Sequence, residues 1–259
     1  MANYHSDEWI YSKLNEHYDF IKTKVPESQI VGVFVYGSQN YGLDNSNSDL
    51  DTITVVAPSV EDIVFNKAPV STTEILPNQE HIEVKDVRLI FEQFRKQSPH
   101  YLEILYTNYK IIGENYISLW EMMSNNKSRI STFNPPCLLR ALAGISRREE
   151  SKFTIDHECY KSAATVFRIK ELVFNYIAFN SLVFENSEPI SEYIKKTKLG
   201  LNTKHEDDLH EEVVFANEFT QDLVTHYLVR SPAIYPVEHT AAFLDNMQTN
   251  FIRRGLELI

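Results

Sequence analysis

The sequence predicts an α+β (α/β) fold, in which a mixed β-sheet of four or more strands, flanked by helices, is followed by an all-helical C-terminal domain. Three observations favour this class. Strand-like apolar runs and turns dominate the first half of the 259 residues, long helical periodicities dominate the second half, and Pro135-Pro136 lies between them. We therefore expect two domains, with residues 1–134 carrying the sheet and residues 135–259 forming a helical domain that closes a cleft.

The elements of the first domain follow from the spacing of its apolar residues. Apolar residues recur at helical spacing over residues 6–24, which predicts a helix there, and Pro26 lies just past its end. The nearly continuous apolar run 30–36 predicts a strand covered on both faces, and the β-branched run 50–57 predicts a second. The same patterns predict strands over 70–76 and 80–87, a helix from residue 87, and a short helix over 100–107 after the break at Ser98-Pro99.

The second domain is expected to contain helices only. Its apolar residues recur at helical spacing in five segments, and its short polar stretches separate them. These segments predict helices over about 137–150, 158–185, 189–198, 206–230 and 237–257, with a loop over 199–207.

The composition excludes several classes of protein. No apolar run approaches the roughly 18 residues that a membrane span needs, and the N-terminal residues lack the pattern of a signal peptide, so we expect no membrane partner and a cytoplasmic location. The net charge of −11 argues against broad, non-specific adhesion to nucleic acid, although a local basic patch would still serve a phosphate-bearing substrate. Cys137 and Cys159 are too few for a disulfide framework and lack metal-ligand spacing.

The stretch VYGSQNYGLDNSNSDLDTITVV, residues 35–56, carries the strongest indication of chemistry. Asp49 and Asp51 alternate at the mouth of a predicted buried strand, so their side chains project to the same face. Two neighbouring carboxylates repel each other unless a cation lies between them, and they suit Mg²⁺ that arrives with substrate phosphates. Gly37-Ser38, directly after the preceding strand, offers a tight turn whose N–H groups and hydroxyl could hold phosphate oxygens.

Other interpretations of this stretch fit less well. A polar loop is most often a solvated connection, and an Asp-x-Asp pair at a strand end also occurs by chance. An EF-hand would require Gly at the position of Asp49 and Glu at the position of Val55. A Walker-type phosphate loop would require a second Gly and a Lys-Ser/Thr pair after Gly37, and neither is present.

The spacing of these residues resembles a known signature. Gly37-Ser38, ten further residues and then Asp49-Leu50-Asp51 are similar to the signature of the DNA polymerase β-like nucleotidyltransferases. The resemblance implies a nucleotidyltransferase core with a third carboxylate on a neighbouring strand, a place that Glu83 occupies in HIEVKDVRLIF. Asp86 and Glu80 remain alternatives, and Asp86 also stands where the N-cap of the next helix is expected.

Longer segments resemble the YcgL-type predicted nucleotidyltransferases of bacteria and their phages. The similar segments are YGSQNYGLDNSNSDLD, FEQFRKQSPHYLEIL and YKSAATVFRIKEL, and the resemblance spans most of residues 31–172. Ser98 stands where that family has Asn, and Thr165 stands where it has His. The resemblance implies that the protein works in a bacterial cell or a phage-infected host.

Cationic and aromatic residues complete the predicted nucleotide site. Lys161 and Arg168 are seven residues apart on a predicted helix and so lie on nearly the same helix face. In the family context, Lys161 would neutralise a triphosphate as a point charge and Arg168 could bind it bidentately, whereas a solvated basic stripe is the alternative. Further candidates are Arg147 and Arg148 for acceptor phosphates, and Tyr41, Tyr160 and Phe167 for stacking a base.

The resemblance implies transfer of a nucleoside monophosphate from a nucleoside triphosphate to an acceptor hydroxyl. Asp49, Asp51 and Glu83 would be the catalytic carboxylates and would hold two Mg²⁺ ions, with Mn²⁺ as an alternative ion. RNA, as a tRNA or an RNA end, is the expected acceptor, although the acidity of the chain counts mildly against it. The alternatives are transfer to a protein side chain or a small molecule, and a non-catalytic nucleotide-binding protein.

Overall fold

The computed structural model describes residues 4–156, 159–184, 187–201, 206–231 and 236–257. Within these residues the protein is an α+β structure, in which helices flank a five-stranded mixed sheet and a helical region follows it. This architecture confirms the predicted fold class. The strands are β1 Ile30–Tyr36, β2 Asp51–Val56, β3 Ser71–Ile75, β4 His81–Asp86 and β5 Lys110–Ile112.

The strands lie in the order β3-β4-β2-β1-β5. Strand β1 is antiparallel to β2 and β5, β2 is parallel to β4, and β3 is antiparallel to β4. Each of the four predicted strands is present, shortened by at most one residue at either end. Strand β5 was not predicted, because three residues are too few to show a periodicity of two.

Helix α1, Asp7–Lys22, covers one face of the sheet. The hydroxyl of Ser6 caps this helix by accepting a hydrogen bond of 3.2 Å from the backbone N–H of Trp9. The buried side of α1 packs against inward-facing residues of β1 and β4 in one apolar cluster, which includes Ile10, Leu14, Ile21, Val33, Val35, Ile82 and Val84.

Helices of the first half cover the opposite face of the sheet. Helix α4, Val87–Arg95, buries Phe91 and Phe94 against Phe34 and Ile53 of the strands. The predicted helix over 100–107 is divided into the short helix α5, Pro99–Leu102, and a 3-10 turn, Glu103–Leu105. The helices between β1 and residue 134 are α2 Ser38–Tyr41, α3 Val60–Val64, α4 Val87–Arg95, α5 Pro99–Leu102, α6 Ile117–Asn125 and α7 Lys127–Ser131.

The second half contains five helices in the part of the chain that the structure describes. Helix α8, Pro135–Ile155, continues past the expected end at residue 150, and α9, Tyr160–Phe179, ends before the expected residue 185. Asn180 adopts a left-handed conformation, φ +50°, which stops α9, and asparagine tolerates this conformation better than most residues. The bounds are α8 Pro135–Ile155, α9 Tyr160–Phe179, α10 Glu188–Lys198, α11 Glu206–Arg230 and α12 Glu238–Glu257.

Helix α12 returns to the sheet-bearing half and packs on α4 and α6. Gly255 permits this approach, because a Cβ atom there would lie 2.6 Å from the Cβ of Ala57. One apolar cluster therefore extends from Phe34 of the sheet to Phe251 of α12. The division into domains at residue 134 stays a prediction. Among the described residues, no helix is long and apolar enough to cross a membrane.

We expect Phe251→Ala to destabilise the protein strongly. Phe251 is 1% exposed and its ring lies 5.8 Å from that of Phe91 and 6.1 Å from that of Tyr116, centroid to centroid. Truncation should lower the free energy of unfolding by about 3–5 kcal/mol, measured by urea denaturation. The control Phe215→Ala, at a residue 65% exposed on α11, should change it by less than about 0.5 kcal/mol. Equal effects would mean that α12 does not support the core.

Candidate functional site

Two strands bring carboxylates to one face of the sheet. The register pairs Tyr36 of β1 with Asp51 of β2, and aligns Ile53 of β2 with Glu83 of β4. Because side chains alternate along a strand, Asp51, Ile53 and Glu83 share one face. Asp51 is the first residue of β2, so its carboxylate lies at the edge of the sheet where β1 ends.

The chain turns sharply after β1. Gly37 has φ +92°, a conformation that side chains with a Cβ rarely adopt, and no neighbouring atom lies where its Cβ would be. Backbone conformation therefore explains the glycine at this position. Helix α2 follows, and Gln39 donates a hydrogen bond of 2.7 Å from Nε2 to the backbone oxygen of Asp49. The turn after β1 thus fixes the segment that leads into β2.

A buried carboxylate, Glu103, organises this turn. It is 2% exposed and accepts hydrogen bonds from the backbone N–H of Gly37 (2.7 Å), the side-chain amide of Asn40 (2.7 Å) and the hydroxyl of Tyr41. Burial raises the pKa of Glu103, while these donors and the charge of Arg168 oppose the rise. Glu103 was not predicted as a site residue, although an acidic residue between Leu102 and Ile104 in an apolar segment is an indication of a special environment.

Arg168 of α9 lies on the ring of Tyr41, with its guanidinium carbon 4.3 Å from the ring centroid. The ring of Phe184 also lies beside Tyr41, 6.0 Å away at an interplanar angle of 23°. Tyr41 therefore supports the arginine from within the core, and this geometry links the helical half of the protein to the turn after β1.

Most of the predicted site residues meet in one cavity. This cavity has a volume of about 660 Å³ and lies between the end of β1, the start of β2, α9 and the end of α10; we call it the nucleotide cavity because residues predicted to bind a nucleotide line it. Glu103 and His100 also contribute to its wall. The predicted residues that line it are Gly37, Ser38, Tyr41, Asp49, Asp51, Lys161 and Arg168.

Asp49 and Asp51 repel each other in this cavity. Burial raises the pKa of Asp51 and the charge of Asp49 raises it further, while a hydrogen bond of 3.1 Å from the backbone N–H of His81 opposes the rise. The Asp49 side chain is exposed and makes no hydrogen bond with a residue that the structure describes. A divalent cation bound between Asp49 and Asp51 would relieve this repulsion. Phosphate oxygens of a substrate would supply the remaining ligands of the cation.

Glu83 lies beside the nucleotide cavity and is not part of its wall. Its carboxylate contacts the hydroxyl of Tyr101 (2.7 Å), Nζ of Lys85 (2.9 Å) and Nε2 of His100 (3.3 Å). Burial opposes ionisation of Glu83, but these three partners outweigh it and lower the pKa to about 2. Within the described ranges, no three His, Cys, Asp or Glu side chains come together closely enough to hold a metal ion.

The two alternatives to Glu83 have other contacts. Asp86 is the N-cap of α4 and accepts hydrogen bonds from the backbone N–H and the guanidinium of Arg88. Glu80 contacts Nε2 of His17 at 3.1 Å, on the face that α1 covers. Of the three carboxylates, Glu83 is the one that shares a sheet face with Asp51.

Lys198, at the end of α10, was not predicted and lines the nucleotide cavity. Its Nζ donates a hydrogen bond of 2.8 Å to the backbone oxygen of Leu43. Burial and the charge of Lys161 lower its pKa to about 8, while Asp44 and Asp49 oppose this shift. The residue lies outside the segments that resemble a known family, and the sequence alone does not indicate that α10 ends beside the turn after β1.

The loop that precedes Asp49 is held from outside the cavity. Asp44 is fully buried and accepts hydrogen bonds from the backbone N–H groups of Tyr4 (3.0 Å) and His5 (2.9 Å). The His5 ring stacks on Trp9 of α1 at a centroid distance of 3.8 Å. Residues before α1 therefore fix the position of the loop that carries Asp49.

The remaining candidates lie apart from the nucleotide cavity. Arg147 donates to Gln221 of α11 at 3.0 Å, and Phe167 is buried against Tyr193. Tyr160 packs at Gly200, where a Cβ would lie 2.9 Å from its ring. Arg148 lines a neighbouring cavity. The free thiols of Cys137 and Cys159 are partly exposed.

Comparison of the chain with protein-family models finds no match, and comparison with curated protein sequences finds no significant match. The nucleotidyltransferase resemblance therefore stays a prediction from the residues quoted above.

Replacing Glu103 with Ala should destabilise the protein by roughly 3 kcal/mol, because it leaves the buried donors of Gly37, Asn40 and Tyr41 without their acceptor. Urea denaturation measures the loss. The control Glu92→Ala removes an exposed carboxylate of α4 that pairs with Lys96 at the C-cap of this helix, and should cost between 0 and about 1 kcal/mol. A loss below about 1 kcal/mol for Glu103→Ala would contradict its organising role.

Proposed function

We propose that the protein is a metal-dependent nucleotidyltransferase, which moves a nucleoside monophosphate from a nucleoside triphosphate to an acceptor hydroxyl, with RNA as the favoured acceptor. One observation carries the proposal. The Gly37-Ser38 turn, the Asp49 and Asp51 carboxylates and the cations of α9 and α10 all face one cavity. A triphosphate and its metal need this combination of groups within the reach of one molecule.

Asp49 and Asp51 would hold Mg²⁺ that the nucleotide brings, and Mn²⁺ would use the same oxygen ligands. Glu83 would be the third carboxylate of the site and would help to hold a second ion, since it lies on the same sheet face as Asp51. To do so it would exchange the Lys85 ammonium for the metal as its counter-charge. Bound Mg²⁺ would supply stabilisation of the negative charge that develops on the α-phosphate and on pyrophosphate.

The phosphates would lie against the turn and the cations. The N–H of Gly37 already donates to Glu103, so the hydroxyl and N–H of Ser38 are the nearest groups for phosphate oxygens. Lys161, Arg168 and Lys198 would balance the charge of the β- and γ-phosphates. The guanidinium of Arg168 is held in place by Tyr41 and so would lose little freedom on binding.

In the transfer, the acceptor oxygen forms a bond to the α-phosphorus, the bond from that phosphorus to the bridging oxygen breaks, and pyrophosphate leaves with the electron pair. The hydroxyl proton is released to solvent. The hydroxyl of Tyr101 and the ring of His100 would hold the Glu83 carboxylate in position, so we assign Glu83 a role in binding the metal and orienting the acceptor.

Asp49→Asn combined with Asp51→Asn should reduce transfer at least about 100-fold, because the variant loses the charge that holds the metal. The assay is incubation with Mg²⁺ and each of the four α-labelled nucleoside triphosphates, with and without total RNA. Label on RNA in the wild type identifies the acceptor class, whereas label on protein would contradict an RNA acceptor. Asp19→Asn, at an exposed residue of α1, is the control and should keep full activity. Full activity in the double variant would refute the site.

Nucleotide affinity should fall as the pH rises through about 8. Lys198 is charged below its pKa of about 8 and neutral above it, and only the charged form attracts phosphate. Between pH 7 and pH 9 the charged fraction drops roughly tenfold, and the association constant from calorimetry should follow. Lys198→Arg stays charged and should flatten the profile. The control Lys196→Arg, at an exposed residue, should keep the pH dependence of the wild type. An association constant that does not change with pH in the wild type would contradict the role of Lys198.

A further inference from the structure

A second cavity, also of about 660 Å³, adjoins the nucleotide cavity. The two share part of their walls, formed by Tyr41, His100, Glu103, Lys161, Thr165 and Arg168. The rest of the second wall comes mainly from α8 and α9, including Arg148, Glu149, Lys152 and Ser162. A molecule bound there would reach the nucleotide across the shared residues.

The cations of the second cavity are held by a buried carboxylate. Glu149 is 7% exposed, and its Oε1 accepts hydrogen bonds of 2.9 Å from Nε of Arg148 and from Nζ of Lys152. Its Oε2 accepts a third, also of 2.9 Å, from the hydroxyl of Ser162. Burial alone would raise the pKa of Glu149, but these donors outweigh it and lower the pKa. The carboxylate therefore stays charged and fixes both cations at the cavity wall.

The cations keep unused hydrogen-bond capacity. Arg148 contacts Glu149 through Nε, and its two terminal nitrogens make no hydrogen bond with the described part of the chain. Among the residues that the structure describes, four cations line the cavity, Arg148, Lys152, Lys161 and Arg168, against the two carboxylates Glu103 and Glu149. This excess of positive charge stands out in a chain whose net charge is −11, and it favours an anionic ligand with several acceptor oxygens.

We propose that the second cavity binds a phosphate group of the acceptor, so that the hydroxyl of a phosphate-bearing acceptor is placed against the nucleotide. This inference rests on the proposed transfer reaction and adds the chemical class of its second substrate. The phosphate held by Arg148 and Lys152 is unchanged in the reaction, and the acceptor hydroxyl alone forms the new bond. The phosphate belongs either to the end of an RNA or to a free nucleotide.

Binding measurements test the proposal without requiring turnover. The probes are a short oligoribonucleotide with a 5′-phosphate, the same oligoribonucleotide with a 5′-hydroxyl, and a nucleoside monophosphate. We expect the wild type to bind at least one phosphorylated probe about tenfold more tightly than the hydroxyl probe. Tight binding of the phosphorylated oligoribonucleotide alone would assign an RNA end, and equal binding of the monophosphate would assign a free nucleotide.

Arg148→Gln combined with Lys152→Gln should abolish this preference for phosphate. The matched control, Arg140→Gln combined with Arg147→Gln, removes the same charge from the same helix outside the cavity and should keep the preference. If the first variant fails to fold, Lys152→Gln alone leaves Arg148 paired with Glu149 and should reduce the preference. No preference in the wild type, or equal losses in both double variants, would overturn the proposal.

The same variants separate this proposal from the proposed function. Arg148 and Lys152 do not line the nucleotide cavity, so nucleoside triphosphate should bind the double variant as tightly as the wild type. Preference for phosphate without transfer of label in the wild type would support the second site and refute the transferase. Transfer without that preference would support the transferase and refute the second site.

Discussion

The buried carboxylate of Glu103 is the interaction on which the site depends. It joins the end of β1, through Gly37, to the helix that follows, through Asn40 and Tyr41. Tyr41 in turn supports Arg168, which belongs to a helix more than a hundred residues further along the chain. Burying a charged group is costly, and it is tolerated here because three donors and one nearby cation satisfy it. The positions of the turn and of the arginine are thereby coupled.

The nucleotide cavity has walls of opposite charge. Asp51 is the first residue of β2 and Asp49 lies in the loop before it, whereas Lys161, Arg168 and Lys198 come from the helices. Each wall is unfavourable by itself: Asp49 raises the pKa of Asp51, and Lys161 contributes to the lowered pKa of Lys198. A ligand that carries both a metal cation and phosphate anions relieves both repulsions at once. Because the carboxylates and the cations lie on different walls of the cavity, an acidic protein can still offer cationic groups to a phosphate.

The sequence predicted the elements whose signals are local. Four strands and most helices were identified because their periodicity extends over several residues or turns. The site residues Gly37, Ser38, Asp49 and Asp51 were identified because they are close together in the sequence. Strand β5 is too short for a pattern, and the end of α9 depends on the conformation of one asparagine. Glu103 and Lys198 were missed as site residues because their contacts are with the distant residues Gly37 and Leu43, and tertiary packing alone brings these together.

The hydrogen bonds of Asp44 to Tyr4 and His5 connect two segments that are remote in sequence. Because both backbone groups donate to one fully buried carboxylate, neither segment can separate without exposing an unpaired charge. We therefore expect Tyr4, His5 and the loop leading to Asp49 to open together in local unfolding. The edge of the cavity that carries Asp49 and Asp51 is in this way tied to the backbone of Tyr4 and His5, whose side chains are not part of the cavity wall.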